Sequence, residues 1–225
     1  MKTVGIIGGM GPLATIDLFN KIVTMTNAKC DNDHIHILID NNTKIPDRTS
    51  FILGNGENPT YELEKSAKHL EEIGADFLVI PCNTAHYFYN NIKNGVNIEV
   101  INMIEETAKS IASSGIKKVG LLSTTGTIKA KVYDSIFEKY DIELIKPNEY
   151  GQSVIMDLIY GIKEGREVSD KKNMMDILNY LKEQGAFYII LGCTELPIAV
   201  KMLEIEGNFI DPTSILARVA VSKAI

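Results

Sequence analysis

The chain repeats one unit at an interval of about half its own length, and that repetition limits the folds open to it more than any other feature. GADFLVIPCNTAH, at positions 74–86, returns as GAFYIILGCTELP at 185–197. Each copy runs glycine, alanine, an apolar segment, then a cysteine and a short polar turn. The cysteine follows the leading glycine at the same interval, Gly74 to Cys82 and Gly185 to Cys193. The openings of the two units match as well. Thr3-Val4-Gly5-Ile6-Ile7 leads into GGMGP at 8–12, and Lys118-Val119-Gly120-Leu121-Leu122 leads into STTGT at 123–127. Solenoid repeats run roughly 20–50 residues, so an offset this long excludes them. The second half is a diverged copy of the first.

Within each copy, short runs apolar on both faces alternate with segments of helical spacing, which implies parallel sheets covered by helices. The expected fold is α/β: two pseudo-symmetric three-layer α/β domains with mostly parallel sheets and an active site in the cleft between them. Residues 1–101 with 211–225 form the domain carrying Cys82, and 102–210 the domain carrying Cys193. Pro12 suits a first helical turn. The helix it opens runs to about position 28, with Leu13, Ile16, Phe19 or Leu18, Ile22 and Val23 at helical spacing, and 34–40 reads as a second strand. Positions 41–59 are the longest irregular stretch, of the kind that carries function. Thr60 caps a helix bearing Leu63, Ala67, Leu70 and Ile73, which Gly74 ends. A helix starts near Thr84, an extended piece covers 99–101, and a helix spans 103–114. Further helices carry Val132, Ile136 and Tyr140, then Met174, Ile177, Leu178 and Leu181 behind a Ser169 cap, with Gly185 as the stop. Asp211-Pro212 opens the last. In open parallel sheets ligands bind beyond the carboxyl ends of strands, where positions 8–12, Cys82, 123–127 and Cys193 all fall.

Composition narrows the partners. A net charge of −6, with Lys and Arg scattered, lacks the clustered basic footprint of a nucleic-acid binder. No apolar stretch reaches the length of a membrane span, and the start moves into a strand and glycine turn without a signal-like segment. The expected location is cytoplasmic. Three cysteines without export signals suit reduced thiols. Neither CxxC nor HExxH is present, so no metal site is expected. Cys30, alone near the end of a helix, reads as an inert buried hydrophobe.

Two thiols in matching strand-turn units carry more meaning. A cysteine just after a strand, at a helix start, meets backbone N–H groups that favour the thiolate and lower its pKa. Pseudo-symmetry then places Cys82 and Cys193 on opposite sides of one ligand. That arrangement suits removing a proton from one face of a carbon and returning one to the other, which is racemisation or epimerisation. The carbanion next to a carboxylate needs aligned donors, for which Asn83, Thr84, Thr194 and the free N–H groups of helix starts are candidates.

GGMGP at 8–12, PDRT at 46–49, PCNTAH at 81–86, TTGT at 124–127 and GCTE at 192–195 together resemble the aspartate racemases of the cofactor-independent aspartate/glutamate racemase family. The resemblance runs nearly end to end. It implies a two-domain enzyme, usually a homodimer, interconverting L- and D-aspartate without pyridoxal phosphate, metal or any other cofactor. By this resemblance Cys82 and Cys193 match the catalytic pair. Arg48 and Lys163 fall where the family places cations for the side-chain carboxylate. Asn83, Thr84 and Thr194 match positions for the α-carboxylate and amino group, and Met10, Ala85, Thr124 and Glu195 complete the expected substrate contacts. Glutamate racemases of the wider family look like CNTA followed by GCTH with no GGMGP. Glu195 here replaces that histidine, which favours the aspartate branch while leaving glutamate open.

Several of these residues have a plainer alternative. Arg48 can pair with Asp47 or Asp40, and Lys163 can be a solvated helix residue. Glu195 can cap a helix. His86, one helical turn beyond Cys82, can polarise the thiol or be a satisfied helix residue. A rival class also exists: Gly9-Met10-Gly11-Pro12-Leu13-Ala14 satisfies the GxGxxA of an NAD(P)-binding oxidoreductase. Pro12 and the repeat's TTGT suit a small carboxylate better than a pyrophosphate, and Asp40 comes too late for the ribose contact.

Overall fold

The computed structural model describes residues 1–166 and 169–225. Each half is built on a four-stranded parallel sheet. The first contains β1 (Val4–Gly8), β2 (Ile37–Asn41), β3 (Phe77–Val79) and β4 (Glu99–Val100), in the spatial order β2-β1-β3-β4. The second contains β5 (Lys118–Ser123), β6 (Glu143–Ile145), β7 (Ile189–Gly192) and β8 (Phe209–Ile210), in the order β6-β5-β7-β8. The two orders are the same, so β1 corresponds to β5 and β3 to β7, and the sequence repeat is a repeat of topology. Ile6 pairs with Val79 in the first sheet and Leu122 with Leu191 in the second. Because helices cover both faces, these central strands are apolar throughout: Val4, Ile6, Ile7, Leu121 and Leu122 are fully buried. Each such side chain contributes about 1.5–3 kcal/mol relative to exposure.

The first half carries α1 (Pro12–Met25), α2 (Arg48–Ile52), α3 (Thr60–Glu72) and α4 (Tyr89–Asn94), with a 3₁₀ turn at Thr84–Phe88; α5 (Met103–Ser113) leads into the second half. There α6 (Thr125–Lys129), α7 (Asp134–Glu138), α8 (Glu149–Lys163), α9 (Lys171–Glu183) and α10 (Leu196–Met202) follow. The last helix, α11 (Pro212–Ala224), returns to the first half. Its Leu216, Ala217, Ala220 and Ala224 share one apolar cluster with Leu18 and Ile22 of α1 and Val4 and Ile6 of β1. Among the described residues no helix is long and apolar enough to cross a membrane.

Several expected boundaries shift, each for a local reason. On α1 the buried row is Ala14, Leu18 and Ile22, while Leu13, Ile16 and Phe19 are exposed. Thr60 is the first residue of α3 rather than its cap, and its N–H is taken by the Asn58 side chain. Asp170, not Ser169, caps α9 by accepting from Asn173 N–H. The segment bearing Val132, Ile136 and Tyr140 breaks into α6 and α7, with Lys131 between them at φ 52°. Helix α8 was not signalled by any boundary motif; the Asn148 side chain caps it by accepting from Gly151 N–H. Within the long irregular stretch 41–59 sits the short helix α2. Cys30 is exposed, not buried, because α1 ends at Met25 and the chain turns outward before it.

Two glycines are required by close approach. Gly9 has φ +89°, and a Cβ there would lie 2.4 Å from the Asn42 carbonyl carbon. Gly126 lets the two halves meet, since its Cβ would stand 2.9 Å from Thr49 Cα. These contacts explain Gly9 of GGMGP and Gly126 of TTGT by packing.

Candidate active site

Cys82 lies just beyond β3 and Cys193 directly follows β7, the equivalent strands of the two sheets. Both thiols line one small cavity. Met10, Asp47, Arg48 and Thr49 wall it from the first half, together with Asn83 and Thr84 beside Cys82. Thr124, Lys163, Thr194 and Glu195 wall it from the second half. The topology thus brings together every expected site residue except Ala85, which is fully buried in the apolar cluster of the first half. The enclosed space is about 10 Å³, room for about one water. An outer pocket of about 420 Å³ adjoins it, sharing Met10, Asp47, Arg48, Lys163 and Glu195 and adding Leu13, Ile45 and Ile162. A larger groove of about 1030 Å³ along β4 contains neither thiol. The convergence of thiols and opposite charges, not volume, makes the small cavity the candidate site.

Arg48 begins α2, and Asp47 caps that helix by accepting from Ser50 N–H at 2.7 Å. This fixes the guanidinium, which is only 7% exposed, against backbone carbonyls: Nη1 donates to Pro46 at 3.1 Å and Ile45 at 3.4 Å, and Nη2 to Met10 at 3.3 Å. Nε has no partner, and neither Asp47 nor Asp40 forms an ion pair with Arg48. Asp47 is committed to its cap. Burial would raise its pKa, but the Ser50 donors and the Arg48 and Lys163 charges outweigh this and lower it. The buried Arg48 charge is thus met by backbone carbonyls and not by a carboxylate. Lys163, the last residue of α8, keeps part of its surface exposed, with Nζ 5.4 Å from the centre of the Tyr160 ring. Desolvation at the cleft mouth opposes its charge, yet Cys193, Glu195 and Cys82 together raise its pKa, so it stays an ammonium.

The Cys193 side differs from the sequence expectation. Its Sγ–H donates to Glu195 Oε2 at 2.9 Å, and burial followed by the Glu195 charge pushes the thiol well above its usual pKa, with Lys163 opposing. The lowered pKa expected at a helix start is not found at Cys193, because burial, and then the Glu195 carboxylate, override it. Glu195 stands at the N-cap position of α10 but makes no side-chain cap. It accepts from Cys193 and from Thr194 Oγ1 at 3.2 Å, and its Oε1 lies 3.6 Å from where a Gly11 Cβ would be. His86 does not polarise Cys82 Sγ. Its ring is buried, with Nδ1 2.9 Å from the Cys82 carbonyl oxygen and Nε2 accepting from Met103 N–H at 3.0 Å.

Three hydroxyls form a closed triangle across the cleft: Thr84, Thr124 and Thr127 Oγ1 atoms are each 3.0 Å apart. Tyr133, from the second half, donates to Asn83 Oδ1 at 2.5 Å. Asp47, Thr49, Thr127 and Tyr133 are thus site or supporting residues that the motif reading passed over. The first three lie within or beside PDRT and TTGT, where that signal was available. Tyr133 had none, because its partner is distant in sequence.

Two pseudo-equivalent α/β halves closing on a pair of thiols, with cations and a carboxylate around them, define the class of two-domain amino-acid racemases. The chain belongs to the Asp/Glu/hydantoin racemase family, whose profile matches residues 7–220. It is similar to Picrophilus torridus aspartate racemase, with 32% identity, a TM-score of 0.85 and coverage of 100% of this chain and 94% of that one. An aspartate racemase homologue from Pyrococcus horikoshii OT3 is 27% identical at TM-score 0.78, covering 100% and 99%. Among curated sequences, the broad specificity amino-acid racemase RacX of Bacillus subtilis is 29% identical over 223 residues, 97% of this chain and 96% of that protein.

Proposed function

We propose that the protein interconverts L- and D-aspartate by a cofactor-independent two-base mechanism. The observation that carries this reading is the cavity itself: Cys82 and Cys193, from equivalent strands of two halves, line one space with a buried, carboxylate-free Arg48. One thiolate takes the Cα proton, breaking C–H and forming S–H, while the opposite thiol releases its proton to the other face of Cα. Cys193 holds its proton toward Glu195, so one direction starts with Cys193 as the acid. The reverse direction starts with the protons exchanged. Arg48 and Lys163 hold the side-chain carboxylate, Glu195 receives the ammonium, and Asn83, Thr84, Thr124 and Thr194 surround the α-carboxylate, where carbanion charge develops. Met10 supplies wall and the carbonyl that orients Arg48.

The division into 1–101 with 211–225 against 102–210 belongs to this proposal, supported by the separate sheets and by the packing of α11 on α1. So does assembly as a homodimer, for which the exposed Leu13, Ile16 and Phe19 of α1 offer an apolar surface; light scattering measures it. A second reading, racemisation of a wider range of amino acids, is favoured by the similarity to RacX and by the apolar Leu13, Ile45 and Ile162 of the outer pocket.

The test is incubation of L-aspartate with purified protein in D2O without added cofactor. Deuterium enters Cα and optical activity decays; Cys82→Ala and Cys193→Ala each abolish full turnover. No exchange with aspartate or glutamate refutes racemisation. Faster exchange with neutral or basic amino acids selects the wider reading.

A further inference from the structure

We infer that Tyr133 is a positioning residue that makes Asn83 a dedicated carboxylate donor: its hydroxyl holds Asn83 Oδ1 and thereby aims the amide NH2 into the cleft. The inference rests on the racemase reading of the cavity. Tyr133 is fully buried, and among the described residues its hydroxyl has Asn83 Oδ1 as its hydrogen-bond partner, at 2.5 Å. Asn83 is 2% exposed, lines the cavity, and its Nδ2 has no partner.

The orientation follows from donor and acceptor counting. A phenol that donates selects the amide oxygen, which leaves the two N–H donors for a ligand. Burial, and then the nearby charges of Cys193 and Asp211, raise the Tyr133 pKa well above its usual value, so the hydroxyl remains a donor. Packing holds the ring as well: Tyr133 and Phe137 have centroids 5.2 Å apart within the apolar cluster of the second half. Tyr133 and Asn83 come from opposite halves, so the bond that sets the amide crosses the cleft. A buried donor pair with nothing to donate to is costly. A carboxylate oxygen, or the enolate oxygen that forms as Cα loses its proton, satisfies it; an ammonium, which has no acceptor, does not. Glu195 is left as the acceptor for the ammonium.

Succinate, a dicarboxylate without an ammonium, reports on this by calorimetric titration of the full chain. Tyr133→Phe retains the ring and frees the amide, and it should raise the succinate Kd about ten- to hundredfold, the range for one hydrogen bond to a charged group. The same substitution on an Asn83→Ala background should change Kd by less than about twofold, because Tyr133 acts through Asn83. A Kd within twofold of wild type in Tyr133→Phe, or an equal loss on both backgrounds, overturns the inference. Asn83→Asp, which keeps the Tyr133 bond and replaces the donors with an anion, should bind succinate more weakly than Asn83→Ala. Equal or tighter binding overturns it even where Tyr133→Phe fails to fold. Wild-type protein that fails to bind succinate also overturns it, whereas intact succinate binding without deuterium exchange removes the racemase reading alone.

Discussion

His86 ties the Cys82 turn to the start of α5, the helix that leads into the second half, and acid should cut that tie. Its ring links the Cys82 carbonyl to Met103 N–H, a pairing that the neutral imidazole makes with one donor and one acceptor nitrogen. Burial drives the His86 pKa down from 6.5 to about 4, against the Cys82 and Asn83 backbone bonds, which raise it. The unfolded chain therefore takes up this proton before the folded one does. The group's contribution to stability is complete above pH 6.5 and falls as the pH drops toward about 4. At about 1.36 kcal/mol per pK unit the full loss is about 3 kcal/mol, with roughly 2 kcal/mol gone by pH 5. Carboxylates contribute acid sensitivity of their own, so the informative quantity is a difference between proteins. Denaturant unfolding of wild type and His86→Gln at pH 7.5 and pH 5 supplies it. The variant should start about 1–3 kcal/mol less stable, from imperfect replacement of two buried hydrogen bonds, and lose roughly 2 kcal/mol less on acidification. The imidazole signals of His86 should not titrate above about pH 5. Equal acid losses in the two proteins, or a His86 titration near 6.5, refute the reasoning.

Glu195→Gln removes the second-largest cause of the raised Cys193 pKa, so alkylation of Cys193 near neutral pH, read by mass spectrometry, should speed up by about tenfold for each pK unit regained; an unchanged rate denies the coupling. Arg48→Lys keeps a charge but loses the planar fork and should raise the aspartate KM by about ten- to hundredfold, as expected for charge-assisted bonds of about 1.5–3 kcal/mol; an unchanged KM removes Arg48 from carboxylate binding. Gly126→Ala drives a Cβ to 2.9 Å from Thr49 Cα at the seam between the halves, so overpacking should cost about 1–3 kcal/mol. That corresponds to a melting temperature lower by roughly 2–12 °C, and an unchanged temperature shows that the seam yields freely.

What could be read in the sequence is what local spacing encodes. The glycine-to-cysteine interval fixed the equivalence of β3 with β7, and the same strand order in both sheets follows from that duplication. Helix α8 escaped because its stabilising features are tertiary: Val154, Ile155, Leu158 and Ile159 pack beneath β5 and β7 residues, while its start is marked only by Asn148. On α1 the expected row of Leu13, Ile16, Phe19 or Leu18, Ile22 and Val23 mixed two faces, and periodicity alone had no means of separating the buried Leu18 and Ile22 from the exposed Leu13, Ile16 and Phe19. The approach of α11 chose the buried face. Tyr133 was invisible for the same reason, since a buried phenol acquires its meaning from the amide that folding brings to it.

The duplicated scaffold supplies symmetry, yet the residues after each cysteine break it in opposite senses. Behind Cys82 comes Asn83, whose free Nδ2 offers donors; behind Cys193 comes Thr194 and then Glu195, whose carboxylate offers acceptors. A racemase must treat the two faces of one carbon alike while binding substituents that are not alike. In the proposed reading the thiols, placed by the repeat, handle what the enantiomers exchange, the Cα proton. The diverged neighbours handle what the enantiomers share, the carboxylates and the ammonium. Divergence at Asn83 and Glu195 is then a consequence of the substrate's asymmetry, and conservation of the cysteine positions a consequence of the reaction's symmetry. An Asn83→Glu and Glu195→Asn exchange would preserve composition while moving the carboxylate to the Cys82 side and the amide to the Cys193 side. Under this argument it loses carboxylate affinity at both positions instead of restoring a mirror-related site, because Arg48 and Lys163 do not exchange with them.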